Sequence, residues 1–280
     1  MLFKMRVFSI ILVLLILGAG VFGTMTVTSA NPEVVDDVMV EGNLIFAEIY
    51  TQTERYESAI EHCDAVLASD PENTRALELK TECLTELGRY TEALDSGNKF
   101  LSLRPEAATP EMLSRMGGLN LKAGEYAGAL PCYDAAAKGY DEMLALSPDD
   151  ISLLKEKAIL LVKAQRYDEA EGCYDSIIAL EPDNAYAWIG KGDTSLFRGM
   201  VEGGQIEDIH IMSDPSAAHN QERMQATDMT AAFQSHQKAM KCYQKASEID
   251  PGLYPLVAAK IMGTYEESIN SCQDILDNFE

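Results

Sequence analysis

The sequence predicts an all-α protein made of repeated helix pairs, and three observations carry that prediction. An alanine is followed twelve residues later by a proline four times over: Ala59 and Pro71, Ala93 and Pro105, Ala170 and Pro182, Ala239 and Pro251. The prolines also keep a longer period, since Pro71 to Pro105 and Pro148 to Pro182 are both 34 residues. Gly88, Gly124 and Gly263 stand five residues ahead of the alanine or its equivalent, where a turn between two helices needs a small or left-handed residue. A fixed period of this kind marks a stack of small units, so the usual expectation of one domain per roughly 150 residues does not apply.

Each unit reads as helix, tight turn, helix and proline stop. An aromatic lies three residues before the alanine in most copies (Tyr56, Tyr90, Tyr126, Tyr167, Tyr265), and a Cys or Tyr lies four after it (Cys63, Tyr133, Tyr174, Tyr243, Cys272). The exit is acidic or small before the proline, as in Ala179-Leu180-Glu181-Pro182-Asp183, and the proline cannot continue the helix.

Taken in order, residues 1–30 stand apart. They contain no acidic residue, carry Lys4 and Arg6, and then run uncharged from Val7 through Leu17 into Gly18, Gly20 and Gly23. A basic start, an apolar run and the small-residue tail Val27-Thr28-Ser29-Ala30 fit either a cleaved signal peptide or a retained membrane anchor. Both place the acidic remainder outside the cytoplasm, because Lys4 and Arg6 favour the cytoplasmic side. A linker is expected over 31–39, followed by units at about 40–73, 74–107, 110–150, 151–184 and 185–253, with a degenerate copy over 254–280. In the third unit Ala129 precedes Pro148 by nineteen residues instead of twelve; the excess of seven is close to two helical turns and lengthens the second helix without rotating its buried face much. The fifth unit carries an insert over about 200–234, expected to be a loop followed by an early start to its second helix. The acidic end, Asp274 to Glu280, suits a polar cap.

This pattern resembles the tetratricopeptide repeat over about residues 40–280. Trp188 and Gly192 stand at the family's four-residue Trp and Gly spacing, and Ala47, Gly117 and Ala158 fill the second of these places in other units, with Thr81 as the departure. The resemblance implies a right-handed superhelical solenoid whose first helices line a concave surface. The inward stripe then reads Glu41, Leu44, Glu48 and Thr51; Arg75, Glu78, Glu82 and Thr85; Glu111, Ser114, Gly118 and Leu121; Ser152, Lys155, Ile159 and Val162; Tyr186, Ile189, Asp193 and Leu196. Its first third is acidic and its last third apolar and aromatic. The implied partner-binding residues are Glu41, Glu48, Glu78, Glu82, Lys155, Ile159, Tyr186, Ile189 and Leu196. Some members of the family hold the acidic tail of heat-shock chaperones with a Lys, Asn and Arg clamp, but Leu44, Glu48 and Glu78 stand at those places and would repel a carboxylate.

Composition narrows the chemistry. With 45 acidic against 22 basic residues in 280, the net charge is -23, which disfavours nucleic acid as a partner. No phosphate loop, nucleophile elbow or two-histidine helix motif occurs, so neither a catalytic residue, a cofactor nor a metal is assigned. Asp208, His210, Asp214 and His219 in the insert match no ligand spacing and read as a solvated loop. Of the six cysteines, Cys132, Cys173 and Cys242 occupy equivalent places in separate units, too far apart to pair, and only Cys63 and Cys83 come into consideration for a disulfide. The expected function is a non-catalytic protein-interaction scaffold, exported or membrane-tethered, that binds a peptide or protein with a basic segment in its groove. The alternative is an enzyme or metal-dependent module sited in the insert.

Overall fold

The computed structural model describes residues 32–204, His210 and 229–263, and every regular element among them is helical. The helices are α1 Pro32–Gln52, α2 Tyr56–Ser69, α3 Thr74–Glu86, α4 Tyr90–Leu103, α5 Pro110–Lys122, α6 Tyr126–Leu146, α7 Ile151–Lys163, α8 Tyr167–Leu180, α9 Ala185–Glu202 and α10 Met229–Ile249, with a further helical stretch over 254–263. The apolar run of residues 1–30, most of the insert, Cys272 and the acidic end lie outside the described residues. α1 starts at Pro32, so most of the stretch read as a linker over 31–39 is first helix; proline is well suited to a first turn, where its missing N–H costs nothing.

The chain divides into two compact units, residues 1–108 and 109–280. In the first, each of α1 to α4 packs on the next and α1 also touches α3, around a core of Leu44, Ala47, Cys63, Val66 and Ala76. In the second, α5 to α10 pack each on the next, around one cluster that includes Tyr133, Leu160, Leu161, Ala170 and Ile177 and another that includes Ile189, Tyr243 and Val257.

Local chemistry sets the helix ends. Asn73, Thr109, Asp150 and Asn184 each accept a hydrogen bond from the backbone N–H three residues on, and so cap α3, α5, α7 and α9. Between the two helices of each pair one residue takes a left-handed conformation: Glu54 at φ 58°, Gly88 at 73°, Gly124 at 78° and Gln165 at 55°. Gly204, at 74°, takes it just beyond the end of α9. Glycine does this freely; Glu54 and Gln165 bear strain. Gly263, expected at such a turn, is helical.

In the pairs α5/α6 and α9/α10 the helices touch at a glycine. A Cβ on Gly117 would lie 2.7 Å from the Tyr133 ring, and one on Gly192 would lie 2.6 Å from the Tyr243 ring. The pair α9/α10 adds a second crossing, where Gly199 meets the His236 ring. That second contact explains why α9 runs on to Glu202 where the sequence suggests an end near Gly199, and Ser235 Oγ secures it by donating to Glu202 at 2.7 Å. α6 has 21 residues where α2, α4 and α8 have 14.

Cys63 and Cys83 are buried free thiols and form no disulfide. Burial pushes the Cys63 thiol up to about 12, and the phenols of Tyr133 and Tyr174 also up to about 12. These groups favour the neutral form in the folded chain. Their contribution is therefore complete below the unfolded values of 9.0 and 10.0 and is lost as pH rises towards 12.

The helix contacts and the burial of these groups have measurable consequences. Gly117→Ala should lower stability by about 1–3 kcal/mol through overpacking, less than additively with Tyr133→Leu, whereas Gly172→Ala, whose Cβ meets nothing within 4 Å, should raise it by about 0.5–1 kcal/mol. Equal effects at the two glycines in denaturant titrations would contradict the crossing. Ala170→Leu, at a position of 0% exposure, should also cost about 1–3 kcal/mol. Helical circular dichroism followed against pH should fall together with phenolate appearance between pH 9 and 12, and Cys63 should resist alkylation at pH 8 until denaturant is added.

Candidate functional site

In the second unit the first helices of the pairs bring several of the predicted stripe residues to a concave face. A cavity of about 650 Å³ lies among α5, α7 and α9, walled by Leu121, Ile159, Val162 and Phe197, with Tyr126 and Tyr167 from the starts of α6 and α8. Lys122 and Lys163, both exposed, also line it. A second hollow of about 440 Å³ shares Ile159, Tyr174, Gly190 and Asp193 with the first and continues past Lys155, Tyr186 and Ile189. Large apolar side chains stand open to solvent here: Tyr186 is 66% exposed and Phe197 41%.

The one acid that lines both hollows is held by the scaffold. Asp193 accepts hydrogen bonds from Tyr243 Oη at 2.7 Å and from Lys260 Nζ at 2.7 Å and 2.9 Å. Burial first, and then the Asp193 charge beside it, pushes the Tyr243 phenol up, so the proton stays on tyrosine and the hydrogen bond persists. With its charge paired, Asp193 leaves the face dominated by apolar groups and lysines.

Of the nine predicted residues, Lys155, Ile159, Tyr186 and Ile189 converge on the second hollow, with Ile189 nearly buried at 6% exposure as part of its wall. Leu196 departs from the expectation. It packs half-buried against the cluster of Ala185, Ile189 and Tyr243, and its neighbour Phe197 takes the groove position. One helical step of about 100° separates the two, so they cannot both face the hollow.

In the first unit Glu41, Glu78 and Glu82 are exposed on α1 and α3. Glu48 pairs with Arg75 across the same two helices, so its charge is partly cancelled. The hydroxyls of Thr51 and Thr85 donate to Ala47 O and Thr81 O of their own helices, at 2.9 Å and 2.7 Å. Leu44, read as a stripe residue, is a core residue at 5% exposure.

The sequence reading missed a ladder that joins successive pairs: Asp64 to Lys80 at 2.6 Å, Asp141 to Lys157 at 2.5 Å, and Asp175 to Lys191, each spanning sixteen residues. The recurring Asp and Lys at that offset is a signal superposed repeats would have shown. Also missed was Glu171, a carboxylate in the core that accepts from Ser195 Oγ at 3.0 Å and Lys238 Nζ at 2.5 Å and ties α8 to α9 and α10. Among the described residues no group of three His, Cys, Asp or Glu side chains is placed to hold a metal ion. Asp208, Asp214 and His219 of the insert lie outside them, while His210 bonds through Nε2 to Ala164 O at 3.0 Å. Among the same residues no helix is long and apolar enough to cross a membrane.

Comparison with known proteins agrees with the geometry. Sequence profiles described as tetratricopeptide repeat match residues 46–108 and 120–192. The Hsp70-Hsp90 organizing protein of Triticum aestivum is 27% identical over 111 residues, 40% of this chain and 18% of that protein. The tetratricopeptide repeat and J domain-containing co-chaperone DNJ1 of Fusarium oxysporum is 25% identical over 145 residues, 51% of this chain and 27% of its own length. The chain thus spans about a quarter or less of these relatives. The solved structure of YrrB, a TPR protein with an unusual peptide-binding site, superposes with a TM-score of 0.47 at 19% identity, covering 81% of this chain and 94% of that one. MamA gives 0.44 at 16% identity, covering 76% and 96%.

Asp150, Asn73 and Asn184 capping the first helices, glycine crossings within the pairs and aspartate–lysine rungs between them are local devices that repeat with the same period as the matched sequence. The helix pairs over residues 46–108 and 120–192 are tetratricopeptide repeats.

Proposed function

We propose that the chain is a non-catalytic scaffold that binds a peptide or protein segment on the face built by the first helices of its repeats. The observation that carries the reading is the apolar hollow of the second unit, where Tyr186 and Phe197 stay exposed beside Ile159 with lysines around them. Exposed aromatics in a preformed concavity supply binding energy on desolvation and cost little side-chain entropy. The co-chaperone relatives support a protein-binding role. Leu44 in the core and Glu48 paired to Arg75 leave no cationic clamp at the places where some relatives hold a chaperone carboxylate.

The first unit suits a different segment. Glu41, Glu78 and Glu82 present negative charge on adjacent helices, which favours a basic stretch of a partner. The basic start and apolar run of residues 1–30 support a chain that is exported, or tethered to a membrane with its repeats outside the cytoplasm.

A photo-crosslinker placed at Tyr186 of the full chain, applied to solubilised membranes of the source cell, should capture the partner. With that partner in hand, Glu78→Gln with Glu82→Gln should slow association several-fold and flatten its salt dependence, and Phe197→Ser should raise the dissociation rate by about tenfold or more. Unchanged rate constants in both variants would place binding elsewhere on the protein. The export reading is tested by the mass and location of the mature chain: an intact Met1 on a chain confined to the cytoplasm would overturn it.

A further inference from the structure

Three side chains of α7 form a stripe along the two hollows. Lys155 lines the smaller, Lys163 lines the larger, and Ile159, midway between them, lines both. The lysines are exposed and Ile159 is half-buried. Lys157 of the same helix is held by Asp141, but among the described residues neither Lys155 nor Lys163 has an ion-pair partner. Each stands near an aromatic of α9: Tyr186, 66% exposed, lines the hollow of Lys155, and Phe197, 41% exposed, lines that of Lys163. The hollows meet at Gly190 and Asp193, and that acid is already held by Tyr243 and Lys260. The result is one trough with a cation and an aromatic at each end and an apolar centre, on a chain whose net charge is -23.

Spacing narrows the ligand. Four residues of helix rise about 6 Å, so Lys155, Ile159 and Lys163 follow one another at that interval and span about 12 Å. In an extended peptide alternate side chains point the same way about 6.6 Å apart, so positions i, i+2 and i+4 share a face and span about 13 Å. The two periods agree to within the reach of a lysine side chain. Acids three or five apart in an extended peptide would point to opposite faces, and only one of them could meet a lysine. A helical ligand would need about nine residues to offer the same three contacts, and helices that short are marginal in water, so the extended form costs less to order.

We propose that the trough takes an extended segment of a partner protein with carboxylates four residues apart and a bulky apolar residue midway, the acids on Lys155 and Lys163 and the apolar side chain on Ile159. This rests on the reading of the face as a peptide site and adds which peptides it selects. Recognition needs no chain terminus, since both cations meet side-chain carboxylates. The two units of the protein then select segments of opposite charge.

Titration of the full chain with end-blocked heptapeptides of a single composition, two glutamates, one leucine and four threonines, tests the spacing. The peptide with glutamates four apart around the leucine should bind at about 1 mM or below, and about threefold or more tighter than isomers with glutamates three or five apart. Lys155→Glu with Lys163→Glu, both on exposed side chains, should weaken that peptide at least about tenfold, while an analogue with lysines in place of the glutamates should bind the variant more tightly than it binds the unchanged chain. Such an exchange of charge separates pairing from any loss of fold. Isomers that bind equally, no binding of the four-apart peptide at about 1 mM, or tighter binding of a helical peptide with acids eight apart would each overturn the proposal. The titrations and the crosslinking at Tyr186 fail separately: a captured partner without such a segment overturns this selectivity and leaves the binding face in place, whereas selective peptide binding supports the selectivity even where no partner is captured.

Discussion

The two helices of a repeat approach so closely that one of them has no room for an ordinary side chain, and most of the remaining structure follows from this contact. In sequence, positions sixteen residues apart carry Ala47 and Cys63, Thr81 and Gly97, Gly117 and Tyr133, and Ala158 and Tyr174, so that a small group is present each time, and where the first helix has glycine the second has tyrosine. Gly117 and Tyr133 are in contact, as are Gly192 and Tyr243 despite the insert between them. Tyr174 also reaches forward to Gly190 of the next pair, where a Cβ would lie 2.4 Å from its ring. Since interiors are packed to near crystalline density, each of these exchanges fixes the axial position of one helix on another to within a side chain.

The charge pattern is subordinate to that packing. Each aspartate–lysine rung between successive pairs spans the same sixteen residues, which is a consequence of the crossing having set the helix offset. Half-exposed pairs of this kind are worth about 0–1 kcal/mol each, so their sum does not decide whether the chain folds. In a chain of net charge -23 they do something else: they commit scarce lysines to joints between successive pairs. Lys122, Lys155 and Lys163, by contrast, gather on the concave face of the second unit. The face that carries the apolar hollow is therefore less negative than the surface around it.

What the sequence disclosed was whatever recurs. Ala59, Ala93, Ala170 and Ala239 all have 0% exposure, and the proline twelve residues on stands two residues past the end of the second helix each time. The seven extra residues of α6 could be read because they add whole turns and leave the buried face in place. Single events were not legible. The pairing of Glu48 with Arg75 joins residues 27 apart on different helices, and that of His210 with Ala164 joins residues 46 apart, with nothing local to announce either. Nor was the placing of Phe197 in the groove and Leu196 against the cluster of Ala185, Ile189 and Tyr243 legible, since the two are neighbours of similar apolar character. Glu54 and Gln165 occupy turn positions where the glycine rule pointed to Gly88, Gly124 and Gly263, because a surrounding fold can impose a left-handed residue at a cost of about 1–2 kcal/mol.

The place of the insert follows from the same energetics. The turn between α1 and α2 is the three residues 53–55, and the connection from α9 to α10 is the twenty-six residues 203–228. Even counted as featureless chain, that is about three doublings of loop length, and at about 0.6 kcal/mol each the closure costs about 2 kcal/mol more. The pair offsets that cost with more than one tie between its helices: Gly192 against Tyr243, Gly199 against His236, Tyr243 on Asp193 and Ser235 on Glu202.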